Sequence, residues 1–368
     1  MKSAIARIGF SYAASGVLFC GALGAADASF IGGLRTIKAH ASTLPRNGDV
    51  NPYGVAVVPR TVGGLLQNHV LVSNFNNAAN LQGTGTTIVQ VSPGDGSTKL
   101  FAQINASTLP GPCPGGVGLT TALVVLRSGW VIVGSLPTTD GTSATAQAGC
   151  LIVLDSSGNV AETISGAKIN GPWDMTVLDM GTTAVLFVTN VLNGTVAAGG
   201  GTVSGGTVLR IGLNIPAAGM PQETSRTIIG SGFAERTDPA ALVVGPTGVG
   251  LGANGTLYVA DTINSLIMAI ENAATRTTDA GTGTMVSGGG ALNGPLGLAI
   301  APNGNILTVN GADGNMVETT PSGTQVAVQF VDVTGGGAGD LFGLAIRPVG
   351  GPGVYFVNDG NNTLDLLH

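Results

Sequence analysis

A pattern of short apolar runs separated by turn residues recurs six times along this chain. The clearest copy begins with GLAIAPNG at residues 297–304 and continues with runs at 305–310, 316–320 and 324–330. Short runs bounded by Gly, Pro, Asn and Ser are typical of β-strands joined by tight turns. The opening pair of runs recurs elsewhere, and the copies start near residues 54, 122, 174, 248, 297 and 343.

The spacing of these copies predicts the architecture. Successive starts are separated by 46 to 74 residues, and the complete copy contains four strands. Four-stranded units repeated in this way are the blades of a β-propeller, in which each blade buries its faces against its neighbours. We therefore predict an all-β, six-bladed β-propeller of four-stranded blades, as a single domain over residues 29–368. The longest step indicates an insertion, which we expect to be a loop rich in Gly, Thr and Ser at residues 196–206.

The last copy is incomplete, and the start of the chain can complete it. Residues 362–367 supply the third strand of the last blade, and the sequence then stops. A suitable apolar segment at about residues 34–39 precedes the first copy. Pairing the two would remove an open sheet edge, which is a site of aggregation. We predict that this N-terminal strand closes the last blade.

The first 28 residues have the pattern of a secretory signal peptide. Lys2 and Arg7 precede an uncharged stretch over residues 8–26, and Ala26-Asp27-Ala28 offers a cleavage site. A positive region, an apolar region and small residues at the cut are the three parts of such a signal. An uncleaved membrane anchor is the alternative, although Ser and Gly weaken the apolar stretch. We expect cleavage after Ala28, a secreted or periplasmic protein, and no stable membrane insertion afterwards.

The composition and the cysteine content limit which partners and which cellular compartment can be predicted for the protein. Only 9% of residues are charged, and 14 basic residues stand against 20 acidic ones, which leaves no basic footprint for nucleic acid. After removal of the signal, Cys113 and Cys150 are the two remaining cysteines. In an exported protein a pair of cysteines predicts a disulfide, and two separate buried thiols are the alternative. We expect a monomer.

Two stretches carry a resemblance to a known family. At residues 294–304 (GPLGLAIAPNG) and 258–264 (YVADTIN) the sequence resembles the NHL-repeat β-propellers, within the gluconolactonase and regucalcin superfamily. The resemblance extends over roughly residues 50–368, but Ser265 stands where the family usually has His or Arg. The family includes lactonases and lyases as well as non-catalytic binding modules, so the fold does not decide the function.

The candidate site residues share one edge of the predicted blades. Connections between second and third strands, and those between blades, lie on the same face of a propeller, here called the loop face. Polar residues end the second strands, and two aromatic residues lie between blades. Our candidates for ligand binding are Tyr53, Trp173, Asp174, Asn190, Asp261, Asn310 and Asp359. The alternative is that the Asn and Asp side chains cap turns, as they do in any β protein.

These candidate residues are compatible with two functions. The first is an exported module that binds a small molecule or a protein through its loop face. The second is a metal-assisted hydrolase of the lactonase class. It would use a divalent cation such as calcium on Asp174, Asn190 and Asp261, because Ca²⁺ favours carboxylate and amide oxygens. The resemblance implies a Glu at the start of the first blade, yet residues 51–54 read NPYG.

Overall fold

The computed structural model describes residues 29–336 and 339–368. The predicted signal peptide at residues 1–28 lies outside them. The described chain forms six antiparallel sheets, β-strands β1 to β25, and three short 3-10 helices at Ile31–Gly33, Ala106–Thr108 and Ser143–Thr145. None of these helices is long and apolar enough to cross a membrane.

The innermost strands of the six sheets contact one another in a closed cycle, in the order β2, β6, β10, β15, β19, β23 and back to β2. Each of the six predicted repeat starts lies in one of these strands. The predicted six-bladed β-propeller is therefore confirmed. The first-to-second and third-to-fourth strand connections lie opposite the loop face, on a surface that we call the turn face.

The first three blades are numbered along the chain, with strands given from the axis outward. Blade 1 consists of β2 (Val50–Val57), β3 (Val70–Asn76), β4 (Thr87–Val91) and β5 (Thr98–Gln103). Blade 2 consists of β6 (Leu119–Val125), β7 (Val131–Ser135), β8 (Cys150–Leu154) and β9 (Val160–Ile164). Blade 3 consists of β10 (Gly171–Asp179), β11 (Thr183–Val191), β12 (Val203–Asn214), β13 (Gln222–Asp238) and β14 (Leu242–Val244).

The remaining blades complete the ring. Blade 4 consists of β15 (Pro246–Leu251), β16 (Leu257–Asp261), β17 (Leu266–Ile270) and β18 (Thr284–Gly288). Blade 5 consists of β19 (Pro295–Ile300), β20 (Ile306–Asn310), β21 (Asn315–Thr319) and β22 (Gln325–Phe330). Blade 6 consists of β23 (Leu341–Ile346), β24 (Val354–Asn358), β25 (Thr363–Leu367) and β1 (Ile37–Ser42).

Burial decreases from the axis outward, and the sequence of each strand reflects it. The second strands β3, β7, β16, β20 and β24 are buried along their whole length, because neighbouring blades cover both of their faces. Strands covered on both faces are continuous apolar runs rather than alternating ones. The outermost strands, by contrast, expose large side chains such as Leu100, Met285 and Phe330. The core therefore lies between the blades.

A glycine in four of the six inner strands permits close packing around the axis. The four are Gly54, Gly248, Gly297 and Gly343. A Cβ on Gly297 would lie 2.0 Å from the Phe342 carbonyl oxygen, and one on Gly343 would lie 2.3 Å from that of Tyr53. A side chain at either position would therefore push the neighbouring inner strand away. We call this position of each inner strand the ring position.

The N-terminal strand closes the last blade, as predicted, although it lies slightly later than residues 34–39. Strand β1 pairs antiparallel with β25 and is the outermost strand of blade 6. The preceding segment is also fixed, because the Glu318 carboxylate accepts hydrogen bonds from Phe30 N at 2.7 Å and Ile31 N at 2.8 Å. The two ends of the described chain are thus joined through one sheet.

The insertion in blade 3 differs from the predicted loop. Strand β12 already begins at Val203, so residues 203–206 are in a strand and only the first part of the predicted 196–206 loop is irregular. Strand β13 extends beyond the blade and turns back as β14, which gives this blade a fifth strand. The turn is fixed by the Asp238 carboxylate, which accepts from Ala240 N at 2.9 Å and Ala241 N at 3.2 Å.

The predicted disulfide between Cys113 and Cys150 is present, with a Cα–Cα distance of 5.1 Å. Cys113 lies in the segment that joins blade 1 to blade 2, and Cys150 opens the third strand of blade 2. The bond therefore fastens an inter-blade connection to the blade that follows it.

We expect that deletion of residues 29–42 exposes the hydrogen-bonding edge of β25 and destabilises the ring. The deletion removes the β1–β25 ladder and the apolar contacts of Ile31 and Leu34. The melting temperature should fall by roughly 5 °C or more, or the protein should aggregate. The control is Lys38→Thr, an exposed change that keeps the strand. Wild-type melting of the truncated protein would show that closure contributes nothing.

Candidate functional site

Asparagines at the ends of the second strands of blades 3 and 5 fasten the segments that enter their own blades. Asn190 Oδ1 accepts hydrogen bonds from Asn170 N at 2.9 Å and Gly171 N at 3.0 Å, and its Nδ2 donates to the Lys168 carbonyl at 2.9 Å. Asn310 Nδ2 likewise donates to the Ala291 carbonyl at 2.7 Å. These amides are buried and hold the chain at the entrance of each blade.

The two aspartates among the second-strand candidates are held by nearby asparagines. Asp261 accepts from Asn264 N at 3.3 Å and Asn264 Nδ2 at 2.9 Å, so it caps its own turn. Asp359 accepts from Asn51 Nδ2 at 3.2 Å. Burial raises the pKa of Asp359 to about 8, and the negative charges of Asp340 and Asp332 add to this shift. The structure does not bring Asn190, Asp261, Asn310 and Asp359 together with a common hydrogen-bond partner.

The two aromatic candidates are buried on the propeller axis. The Tyr53 ring stacks on Phe342 with centroids 3.7 Å apart and on Phe75 with centroids 4.5 Å apart. Trp173 lies 6.4 Å from Phe342, and its Nε1 donates to the Val243 carbonyl at 2.9 Å. Because these rings come from blades 1, 3 and 6, they meet at the axis. We call Tyr53, Phe75, Trp173 and Phe342 the aromatic plug, since they close the loop-face end of the channel.

The β13–β14 extension crosses the loop face above this plug. Residues of its turn reach blade 1, where Gln82 Nε2 donates to the Pro239 carbonyl at 2.7 Å. Between the extension and blades 4, 5 and 6 lies a cavity of about 260 Å³, here called the loop-face cavity. Its floor is apolar and its rim is polar. The floor contains Val244, Leu296 and Phe342, and the rim contains Arg236, Asp238, Ser265 and Asn293.

A second cavity, of about 360 Å³, occupies the axis on the other side of the plug. It is lined by the halves of the inner strands that lead to the turn face, so it opens there, and we call it the turn-face channel. Its walls are mainly branched aliphatic side chains: Val55, Val57, Leu123, Val125, Val177, Leu251, Leu298, Ile300, Leu344 and Ile346. Asp174 and Thr121 also line it.

Asp174 occupies the ring position of blade 3, where four other blades have glycine. Its Oδ1 accepts from Met175 N at 2.8 Å, and its Oδ2 accepts from Val249 N of blade 4 at 3.1 Å. The carboxyl group therefore bridges two inner strands at the channel wall. Burial raises its pKa to about 8, although the two backbone N–H groups lower it in part.

The residues proposed as calcium ligands do not fit a metal. Asp174 lines the turn-face channel, whereas Asn190 and Asp261 do not. Asn190 uses both ends of its amide within blade 3, and both oxygens of Asp261 accept from Asn264. Among residues 29–336 and 339–368, no three His, Cys, Asp or Glu side chains are grouped as metal ligands.

Comparison with known proteins gives the fold. No protein-family model matches the sequence, and no curated protein sequence matches it either. A gluconolactonase from Xanthomonas campestris aligns with a TM-score of 0.53 at 12% identity, covering 91% of this chain and 93% of its own. The calcium-binding protein regucalcin from Agrobacterium tumefaciens aligns with a TM-score of 0.52 at 13% identity, covering 89% and 92%. Both are six-bladed propellers.

The chain shares the gluconolactonase and regucalcin fold. An inactive virginiamycin B lyase from Staphylococcus aureus is also similar, with a TM-score of 0.50 at 14% identity over 90% of this chain and 85% of its own. At these identities the likeness extends to the fold and not to the site. The resemblance predicted from residues 258–264 and 294–304 is thus confirmed at the level of the six-bladed fold.

Several residues that shape the two cavities have no clear signal in the sequence. Arg236 and Asp238 belong to an extension that the repeat pattern does not cover, and Phe342 is absent from the residues predicted from the sequence. Thr121 belongs to the second copy, whose degenerate pattern hides its ring position. Asp174 was predicted on the loop face, whereas it lines the turn-face channel. The signal that could have indicated this is the Asp at position 174, where four other copies have Gly.

We expect Asp174 to make the stability of the protein depend on pH. Its carboxyl is neutral in the folded state up to about pH 8 and ionised in the unfolded state above about pH 4. The folded state binds the extra proton between these values, so stability decreases as the pH rises from about 4 to about 8. Asp174→Asn should remove part of this decrease, measured as melting temperature against pH.

The matched control is Glu271→Gln, at an exposed acid, which should leave the slope unchanged. Asp359, Glu235 and Asp365 also have raised pKa values, of about 8, 7 and 6, so some slope will remain in every variant. An Asp174→Asn profile parallel to that of the wild type would mean that the carboxyl is ionised in the folded protein.

Proposed function

We propose that this protein is an exported propeller that binds a small organic molecule at its loop face, as a binding module rather than an enzyme. The loop-face cavity is the observation that carries this proposal. Ligand sites in proteins are concave, mainly apolar, and contain a few polar groups that orient the ligand. An apolar floor of Val244, Leu296 and Phe342 under a polar rim has this character.

The rim favours a ligand with a hydrogen-bond acceptor. Arg236 lies 3.4 Å from the Asp238 carboxylate, and 45% of its side chain is exposed. Asp238 Oδ1 is already occupied by the N–H groups of Ala240 and Ala241. A guanidinium with several free N–H donors can therefore bind a carboxylate or carbonyl of a ligand whose apolar part lies on Leu296 and Phe342. The volume of about 260 Å³ suits a molecule of one or two rings.

The hydrolase hypothesis depends on a divalent cation. Its support is the shared fold, since one similar structure is a gluconolactonase and another is a calcium-binding protein. Against it, the residues that would hold the ion are separated and already hydrogen-bonded. Specific binding of Ca²⁺ to the folded state would raise its stability by mass action.

We expect that millimolar Ca²⁺ leaves the melting temperature of the wild type unchanged. The measurement is a pair of melting curves, with Ca²⁺ and with a chelator, for the wild type and for Asp174→Ala and Asp261→Ala. A rise in stability with Ca²⁺ that disappears in both variants would establish a metal site and favour the hydrolase.

The binding proposal is tested by filling the loop-face cavity from its edge. Ala312 lines the cavity from an exposed position, so Ala312→Trp should occupy the space without disturbing the core. We expect aromatic carboxylates and amides, used as probes in ligand-observed NMR, to bind the wild type and to lose at least tenfold in affinity in this variant.

Ala79→Trp is the matched control, because Ala79 is exposed on a loop-face connection of blade 1 outside the cavity. Arg236→Ala should weaken the binding of the carboxylate probes more than the binding of the corresponding neutral amides. Equal binding to wild type and Ala312→Trp would place the ligand elsewhere and would leave a protein partner as the function of the loop face.

A further inference from the structure

The turn-face channel contains one ionisable group among its described lining residues, and this group lies at its inner end. Asp174 occupies the ring position of β10, next to the aromatic plug residue Trp173, and its carboxyl lies in the channel wall. From there the lining residues toward the turn face are Val, Leu, Ile, Met, Thr, Ala and Gly. The channel is therefore an apolar tube with one acid at its closed end.

Packing alone does not account for an acid at this position. Four inner strands have glycine at the ring position. The inner strands of blades 2 and 3 have polar residues instead: Thr120 and Thr121 near the corresponding bulge in blade 2, and Asp174 in blade 3. Burying a carboxyl group costs free energy unless hydrogen bonds or an opposite charge offset it. Two backbone N–H groups offset part of this cost, and each carboxyl oxygen keeps a further lone pair.

A second polar side chain lines the same channel, and its hydroxyl has no hydrogen-bond partner within the described chain. Thr121 is 4% exposed and lines the channel, and its Oγ1 is buried without a hydrogen bond. Strands β6 and β10, which carry Thr121 and Asp174, are neighbours in the inner ring. A hydroxyl that the described chain leaves without a partner can accept a hydrogen bond from a ligand or a water molecule.

We propose that the turn-face channel binds a primary alkylammonium ion, whose N–H groups bind Asp174 and Thr121 and whose alkyl chain extends toward the turn face. A cation is favoured over a neutral alcohol because it stabilises the ionised form of the Asp174 carboxyl, which releases its proton to the solvent as the ammonium group binds. Both acceptors need hydrogen-bond donors, and an ammonium group offers three. The aliphatic walls suit a linear alkyl chain, and they disfavour a ligand that carries a second charged group near the mouth of the channel.

This site is independent of the proposed loop-face function. The aromatic plug separates the two cavities, and the set of residues that lines one shares no member with the set that lines the other. Variants of Ala312 and Arg236 should therefore leave amine binding unchanged.

The test uses hexylammonium chloride as the probe, in calorimetric titration and melting curves of the full mature protein. Methylammonium chloride controls for the charge without the chain, and 1-hexanol controls for the chain without the charge. We expect hexylammonium to bind at least tenfold more tightly than either control. Thr121→Val should fold as well as the wild type, because no hydrogen bond is lost, and should weaken hexylammonium severalfold.

Two further variants test separately how the carboxyl group and the apolar channel contribute to binding. Asp174→Asn should weaken hexylammonium at least tenfold, and Ile300→Trp, which fills the outer half of the channel, should also abolish binding. Asp261→Asn, at an acid on the loop face, should bind as the wild type does. Equal affinity for hexanol and hexylammonium, or unchanged affinity in Asp174→Asn and Thr121→Val, would overturn the proposal.

Discussion

The close approach of six inner strands around one axis is the constraint on which the rest of this structure depends. Four blades have glycine at the ring position. A Cβ there would lie within 2.6 Å of a neighbouring backbone or side-chain atom, so glycine is what lets the inner strands approach this closely. Once the inner strands are fixed at this distance, the second strands are covered on both sides, so they are mainly apolar and most of their polar residues lie toward the loop-face end. Because of the same constraint, any side chain at a ring position is unusual, and Asp174 is the ionisable one among them.

The two ends of the axis are consequently different environments. At the loop face, Tyr53, Trp173 and Phe342 immediately precede ring positions, so their rings converge on the axis and close it. The β13–β14 extension then covers them and creates a cavity of its own. At the turn face no aromatic side chain lines the described channel, and aliphatic walls leave it open. A ligand on one face therefore cannot reach the other cavity along the axis.

The sequence predicted those features that each repeat specifies locally. Blade number, the closing strand and the Cys113–Cys150 bond follow from apolar runs, turn residues and chain order. The burial of Tyr53 and Trp173 could not be predicted, because a strand-end aromatic residue is equally compatible with an exposed loop and with the axis. The extension was missed for a related reason: residues 222–238 are a strand longer than a blade needs, and hydrophobic periodicity does not mark where a blade ends.

The ring of asparagines shows why polar residues at strand ends are a weak guide to function here. Asn74, Asn190 and Asn310 each bind backbone groups of the segment that enters their own blade, and Ser135 does the same in blade 2. Only 9% of the residues are charged, so neutral amides rather than ion pairs fasten the segments that lead into these blades. The polar residues that recur at these strand ends in blades 1, 2, 3 and 5 are thus explained by folding. Asp174, Thr121 and the β13–β14 extension do not recur, and these departures from the repeat supply polar groups to both cavities.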